Sequence, residues 1–204
     1  MNIQFQVDAS MVLGPLLALF ACVAIIRMRR GVPGWSGRHT VLRAATALYG
    51  AAVLSLTVFP LYVTWGQYAN QSPWYNQVNF IPLLTADVTA IPNIIMMIPL
   101  GFLLPLVSRR ATSLWRAIGL SALASLCIEA TQMLSYIVFN NGRSVDINDL
   151  LANTLGGLIG YALISLVLKS AGLRGPLLAA ALPGSASRQR GEGHVRDDLT
   201  TVRR

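Results

Sequence analysis

Long apolar stretches alternate with short polar segments along this chain. Five stretches, at residues 11–26, 44–63, 88–107, 117–139 and 150–168, contain few charged side chains. Each is close to the roughly 20 residues that an α-helix needs to cross the hydrocarbon core of a bilayer. The pattern therefore predicts an all-α, polytopic membrane bundle of about five transmembrane helices.

The composition supports a membrane protein over a water-soluble domain. The chain has 204 residues, of which 54% are hydrophobic and 12% charged, with a formal net charge of +8. Ordinary soluble domains are about one quarter charged, so a water-soluble globule is excluded. The positive balance would suggest nucleic acid in a soluble chain, but here the basic residues lie between apolar stretches. We expect the lipid bilayer as partner and no nucleic acid.

The distribution of basic residues predicts the orientation of the chain. All Lys and Arg residues except Arg143 fall in the first or third loop between stretches, or in the C-terminal tail. In a five-span chain these three segments share one side of the membrane. Because cytoplasmic loops carry the excess of Lys and Arg, we expect the N-terminus outside and the C-terminus in the cytoplasm.

The same pattern divides the chain into three parts. Residues 1–43 form an extra N-terminal transmembrane helix with a basic cytoplasmic loop, and residues 44–168 form a four-helix membrane domain. Residues 169–204 form a basic cytoplasmic tail that turns rich in Gly, Pro, Ser and Arg. We expect this tail to be largely disordered, above all from residue 184 onwards.

The fourth stretch carries polar side chains on one helical face. They recur three or four residues apart and are Ser121, Ser125, Glu129, Gln132 and Tyr136. An ionisable side chain near mid-bilayer costs at least ~2.5 to 3.5 kcal/mol, so it normally faces the bundle interior or a wet cavity. Glu129 therefore either locks helices together through hydrogen bonds or belongs to a functional site.

A second polar face begins the fifth stretch. Asp146, Asp149, Asn153, Gly156 and Gly160 are three or four residues apart, and they share a face if the helix starts near Asp146. Capping of the helix accounts for one of the two acids. The glycines let another helix approach closely. Neither explanation accounts for Asn153, one turn deeper.

Two further asparagines and one arginine complete a predicted polar pocket that opens to the outside. Asn79 precedes the third stretch, Asn93 lies about one turn inside it, and Arg143 lies in the outer loop before the fifth. We expect Glu129 to be deepest and Arg143 to lie at the mouth. The candidate ligand-binding residues are Asn79, Asn93, Gln132, Arg143 and Asn153.

The acids of this pocket are the candidate catalytic residues. Buried carboxyl groups such as those of Glu129, Asp146 and Asp149 can act as general acid or base. Arg143 either neutralises these acids or forms a fork for a phosphate or carboxylate group of a ligand. Three carboxylates would also suit Mg²⁺ or Ca²⁺, but their spacing matches no defined metal-binding loop, so no metal site is predicted.

Several other chemistries are excluded from the outer pocket. His39 and His194 are the only histidines, and both fall on the predicted cytoplasmic side. No catalytic triad with histidine and no histidine-rich metal site can therefore form in the pocket. The chain also has no glycine-rich nucleotide-binding motif, and no cofactor is predicted.

The order and spacing of these motifs resemble the VanZ-like family of bacterial membrane proteins. The motifs are Asn79-Phe80-Ile81-Pro82, Asn93 with Pro99-Leu100-Gly101, Ser125 with Glu129 and Gln132, Arg143 with Asp146 and Asp149, and Asn153 with Gly156 and Gly160. The resemblance covers about residues 47–168. It implies a multi-pass protein of the bacterial cytoplasmic membrane, in a family whose named member is associated with resistance to the glycopeptide teicoplanin.

Three hypotheses for the function follow. The leading one is a cell-envelope protein whose outward pocket acts on or binds a lipid-linked, cell-wall or glycopeptide-type ligand at the outer leaflet. An alternative is a small proton-coupled transporter, which the carboxyl group near mid-bilayer favours. The third is a structural membrane partner in which the polar residues only fix helix packing. The sequence leaves open whether a reaction is catalysed and which oligomeric state forms.

Overall fold

The computed structural model describes residues 2–82 and 90–191. Its helices are α1 (Ala9–Arg29), α2 (Gly37–Thr57), α3 (Ala90–Val107), α4 (Leu114–Phe139), α5 (Ile147–Val167) and α6 (Ala171–Ala180). The first five are long and apolar enough to cross a membrane. This confirms the predicted all-α, polytopic bundle with five spans.

Four short strands lie at one end of the bundle, here named the sheet end. β1 (Ile3–Val7) pairs antiparallel with β2 (Leu61–Trp65), so the strand before α1 closes onto the strand after α2. β3 (Val78–Asn79) pairs parallel with β4 (Val145–Asp146), which leads into α5. The predicted second span, 44–63, is therefore wrong at its end, because the chain leaves the helix after Thr57 and enters β2.

The contact between α3 and α5 is the closest between two helices in the bundle. A Cβ atom added to Gly101 of α3 would lie 1.9 Å from the Gly157 carbonyl oxygen of α5. One added to Gly160 would lie 1.9 Å from the Ile98 carbonyl oxygen of α3. Both distances are far below van der Waals contact, so only glycine allows the two backbones to approach this closely.

The opposite end, which carries the C-termini of α1, α3 and α5, is named the basic end. There Leu42, Leu106, Ile164 and Ala181 form a buried core cluster that joins α2, α3, α5 and the tail. The backbone N–H of Leu182 donates to the carbonyl oxygen of Leu106 at 2.9 Å. The tail thus extends the core of the bundle past the last span.

The tail differs from the expectation of disorder. Residues 171–180 form α6, residues 186–191 are helical, and the Ala186 N–H donates to the Ser108 carbonyl oxygen at 3.0 Å. The prediction of disorder from residue 184 was wrong for residues 184–191, because small side chains such as Ala186 are buried and backbone groups pair with the end of α3. Residues 192–204, which include His194, lie outside the described residues.

Replacement of Gly160 by alanine tests the α3–α5 contact. The added methyl group would collide with the backbone of α3, and overpacking of this kind typically costs about 1 to 3 kcal/mol in the free energy of unfolding. Gly119→Ala in α4 is the matched control, since a Cβ atom there meets nothing within 4 Å. Unfolding in detergent should show a clear loss for Gly160→Ala and none for Gly119→Ala. Equal stabilities would contradict the close contact.

Candidate functional site

The three predicted acids lie together at the start of α5, beside the second half of α4. The backbone N–H of Asp146 donates to Oε2 of Glu129 at 3.3 Å. Glu129 lies about 15 Å along α4 from its final residue Phe139, at a helical rise of about 1.5 Å per residue. The chain after α4 therefore runs back beside that helix, and the site is recessed between elements.

The polar face predicted for α4 points into the bundle. Ser121 and Ser125 have no exposed surface, Glu129 is 5% exposed, and Tyr136 is also buried. Leu126 and Leu134, on other faces of the same helix, are exposed and so available to lipid. Glu129 thus faces protein and not hydrocarbon.

Asp146 connects three elements through one carboxylate. Its Oδ1 accepts the backbone N–H of Asn148 at 2.8 Å, so Asp146 is the N-cap of α5. The side-chain amide of Asn79 also donates to both carboxylate oxygens, each at 3.1 Å. The pairing of β3 with β4 sets Asn79 opposite Asp146 and so fixes this contact. The capping expected from the sequence is present, together with an amide partner from β3.

Asp149 lies one turn further along α5 and is bound from α3. The side-chain amide of Asn93 donates to Oδ1 of Asp149. This hydrogen bond forms at the same helix interface as the glycine contacts, between the N-terminal parts of α3 and α5. Asn93 of the third span thus contacts Asp149, the second acid of the site. The two residues are 56 positions apart in the chain, so no local sequence pattern predicts this contact.

The three carboxyl groups form one electrostatic unit. Glu129, Asp146 and Asp149 lie within electrostatic range of one another. No Lys or Arg of the described residues forms an ion pair with them, and their polar neighbours are amides and backbone N–H groups. Carboxylates in such a setting attract cationic groups and hydrogen-bond donors.

Asn153 extends the site one turn deeper between α4 and α5. Its amide donates to the Ser125 hydroxyl at 3.0 Å. Three polar atoms on the inward faces of α4 and α5 are buried without a hydrogen-bond partner among the described residues: Oδ1 of Asn153, Oγ of Ser121 and Oε1 of Gln132. An unsatisfied buried polar group costs about 1 to 3 kcal/mol, so packing stability alone does not explain these side chains.

Arg143 forms no ion pair with the acids, so the expected counter-ion contact is absent among the described residues, while its role as a fork for a ligand stays a prediction. Its Nη2 donates to the carbonyl oxygens of Val58 and Phe59, at 3.3 and 3.1 Å, just past the end of α2. Gln132 binds the same helix end, donating to the Thr57 carbonyl oxygen at 3.0 Å. The last carbonyl groups of a helix carry partial negative charge, which explains why they attract a guanidinium group.

Sequence reasoning missed the segment that covers the end of α4. The Tyr136 hydroxyl donates to the Ser72 carbonyl oxygen, and the Thr64 hydroxyl donates to the Asn140 carbonyl oxygen at 2.7 Å. These contacts hold residues 64–72 over the C-terminus of α4. Tyr136 was visible in the polar stripe, but nothing in the sequence around Thr64 or Ser72 indicates this role.

The acids of the site act as hydrogen-bond acceptors in this structure. Among the described residues, no group of three or more His, Cys, Asp and Glu side chains has the geometry to hold a metal ion. The acids are instead each paired with a donor, as described above for Glu129, Asp146 and Asp149. Such carboxyl groups can orient a ligand and exchange protons with it.

Comparison with known proteins gives one clear relationship. A family model described as VanZ/LLP1 matches residues 46–168. The chain belongs to the VanZ/LLP1 family. This confirms the resemblance seen in the sequence motifs, and all candidate site residues lie inside the matched range. No curated protein and no solved structure matches the chain.

The VanZ/LLP1 match covers most of the bundle. It begins inside α2, whose C-terminal end binds Arg143 and Gln132, and ends just after α5, at residue 168. It therefore includes both sets of polar contacts, the acid–amide cluster and the α2 end. α1 and the tail lie outside the match.

Substitution of Arg143 tests its assignment to the end of α2. Arg143→Gln removes a charged donor from two carbonyl oxygens, and hydrogen bonds to charged groups contribute about 1.5 to 3 kcal/mol. We expect a loss of this order in the free energy of unfolding in detergent. Arg38→Gln, at an exposed position of α2, is the control with the same charge change and should be neutral. An unchanged stability of Arg143→Gln would contradict the capping role.

Proposed function

We propose that this VanZ/LLP1-family membrane protein recognises an envelope-derived, lipid-linked or glycopeptide-type ligand at the outer leaflet through its acid–amide cluster. The cluster consists of Glu129, Asp146, Asp149, Asn79, Asn93 and Asn153. One observation carries the proposal: the carboxyl group of α4 and the two at the start of α5 meet beside amides, without an ion-pair partner among the described residues.

The chemistry of the cluster indicates the class of ligand. Carboxylate and amide oxygens accept hydrogen bonds, and Arg143, the one nearby cation expected to bind an anion, is engaged at the end of α2. A ligand with hydroxyl, amide and ammonium donors fits such a site. Sugars and peptides of the cell wall and the glycopeptide antibiotics are ligands of this kind. Glu129, Asp146 and Asp149 are the groups that would exchange protons with it.

The charge distribution supports an outward position for the cluster. Most basic residues follow the C-termini of α1, α3 and α5, at the basic end, and the positive-inside rule puts that end in the cytoplasm. The sheet end exposes several aromatic side chains, among them Trp65, Tyr68, Trp74 and Tyr75. Tyrosine and tryptophan are enriched at membrane interfaces. The cluster would then be reached from the outer leaflet.

The transporter alternative gains no support from the third span. Transporter sites of the inverted-repeat type often use helices that are broken at mid-membrane. α3 instead continues as one helix through Pro99 and Pro105. The structural-partner alternative remains the competitor, because hydrogen bonds such as Asn93 to Asp149 also hold helices together.

A binding experiment with teicoplanin separates a ligand site from a packing role. Glu129→Gln keeps the size of the side chain and removes its charge, so it should weaken teicoplanin binding by the purified, reconstituted protein about tenfold or more. Cells expressing the variant should lose any protection that the wild type gives against teicoplanin. Asp8→Asn, an acid at the same end but outside the cluster, is the control and should bind like the wild type.

Thermal unfolding in detergent is the second measurement on the same variants. Under the proposal Glu129→Gln stays folded and fails to bind. A variant that unfolds easily while its folded fraction binds normally would favour the structural role. A wild-type protein that neither binds teicoplanin nor alters susceptibility to it would contradict the glycopeptide class of ligand.

A further inference from the structure

A second candidate site lies at the basic end, across the bundle from the acid–amide cluster. A half-open cavity of about 260 Å³ is bounded by the last two turns of α5, by α6 and by the helical residues 186–191. Lys169, Arg174 and Arg190 line it, and its lining includes no acid. The folded tail, expected from the sequence to be disordered, therefore forms two of its walls.

The interior of this cavity is mainly apolar, with hydroxyl groups near the cations. Ile164, Leu168 and Leu178 supply apolar surface. Ser187 also borders the cavity, but its hydroxyl oxygen is fully buried. Nη2 of Arg190 donates to the buried Tyr161 hydroxyl at 3.3 Å and to the Thr112 carbonyl oxygen, which holds this guanidinium group in place. Cations thus lie beside an apolar surface.

We propose that this cavity binds the phosphate group of an amphiphilic phosphate ester. The guanidinium groups of Arg174 and Arg190 and the ammonium group of Lys169 match the several acceptor oxygens of a phosphate. The apolar surface beside them suits the carbon chain that a phosphate ester carries. Basic pockets beside membrane helices are also where lipid headgroups bind.

The size and position of the cavity favour a headgroup over a whole molecule. Its volume of about 260 Å³ is below the range of roughly 300 to 1,000 Å³ typical of sites that enclose drug-sized ligands. Leu166 at the end of α5 and Leu173 of α6 are exposed next to it, 62% and 54% respectively. An anionic phospholipid can therefore place its phosphate in the cavity and its chains along the lipid-facing surface. A soluble phosphate ester shares the headgroup chemistry.

Binding of defined lipids to the purified full chain tests the proposal. The probe is phosphatidylglycerol, with phosphatidylcholine as the neutral comparison, and bound lipid is counted by native mass spectrometry. The double variant Lys169→Gln with Arg174→Gln should bind phosphatidylglycerol at least about tenfold more weakly than the wild type. The matched control, Arg38→Gln with Arg30→Gln, removes two charges at the same end outside the cavity and should stay within about twofold.

The remaining arms identify the source of the phosphate and the specificity. If glycerol 3-phosphate displaces phosphatidylglycerol from the wild type and not from the double variant, the cavity binds a soluble ester. If it does not displace the lipid, the phosphate belongs to the phospholipid. Arg174→Gln alone, a smaller change at a half-buried lining position, should weaken binding several-fold and provides a second variant if the double variant unfolds. Equal binding by the wild type, the cavity variants and the control variant would overturn the proposal, as would no binding of either probe.

Discussion

The close approach of α3 to α5 is the contact on which the rest of the structure depends. In hydrocarbon, helices gain little from burying apolar side chains, so they associate through close packing and hydrogen bonds. Gly101, Gly156 and Gly160 remove the side chains that would hold the two backbones apart. The same helix α5 receives α4 at Gly157, where the Ser121 side chain occupies the space of a Cβ atom. One helix thus provides glycine surfaces to two neighbours.

This packing determines the chemistry at each end of the bundle. At the sheet end it brings Asn93 to Asp149 and places the start of α5 level with Glu129, so acids and amides meet in a recess. Because Arg143 is used at the end of α2, it forms no ion pair with the acids of that recess. At the basic end, the termini of the same helices support the folded tail and its cation-lined cavity. Under the two proposals, the ends bind ligands of opposite kind, donor-rich at one and anionic at the other.

The spans and the polar faces of α4 and α5 could be predicted from the sequence, because helical periodicity and bilayer thickness are local constraints. The family motifs also indicated Asn79 and Asn93 as candidate site residues. The partner of Arg143 could not be predicted, since a guanidinium group can bind a carboxylate or a helix end and only the tertiary path selects one. The strands β1 and β2 were missed because their pairing joins residues far apart in sequence. Disorder of the tail was predicted from its composition. Composition does not show that a few small apolar residues, such as Ala181 and Ala186, are buried and hold the tail against the bundle.

The central claim is that the charge of Asp149 serves a ligand, beyond holding α3 to α5. The most direct test is the exchanged pair Asn93→Asp with Asp149→Asn, which keeps an amide–carboxylate hydrogen bond across the interface and moves the charge to α3. The account predicts that this protein melts close to the wild type in detergent, while the single variant Asp149→Asn melts lower. It also predicts teicoplanin binding at least about tenfold weaker than the wild type. Full recovery of both stability and binding would contradict it, because the position of the charge would then be immaterial.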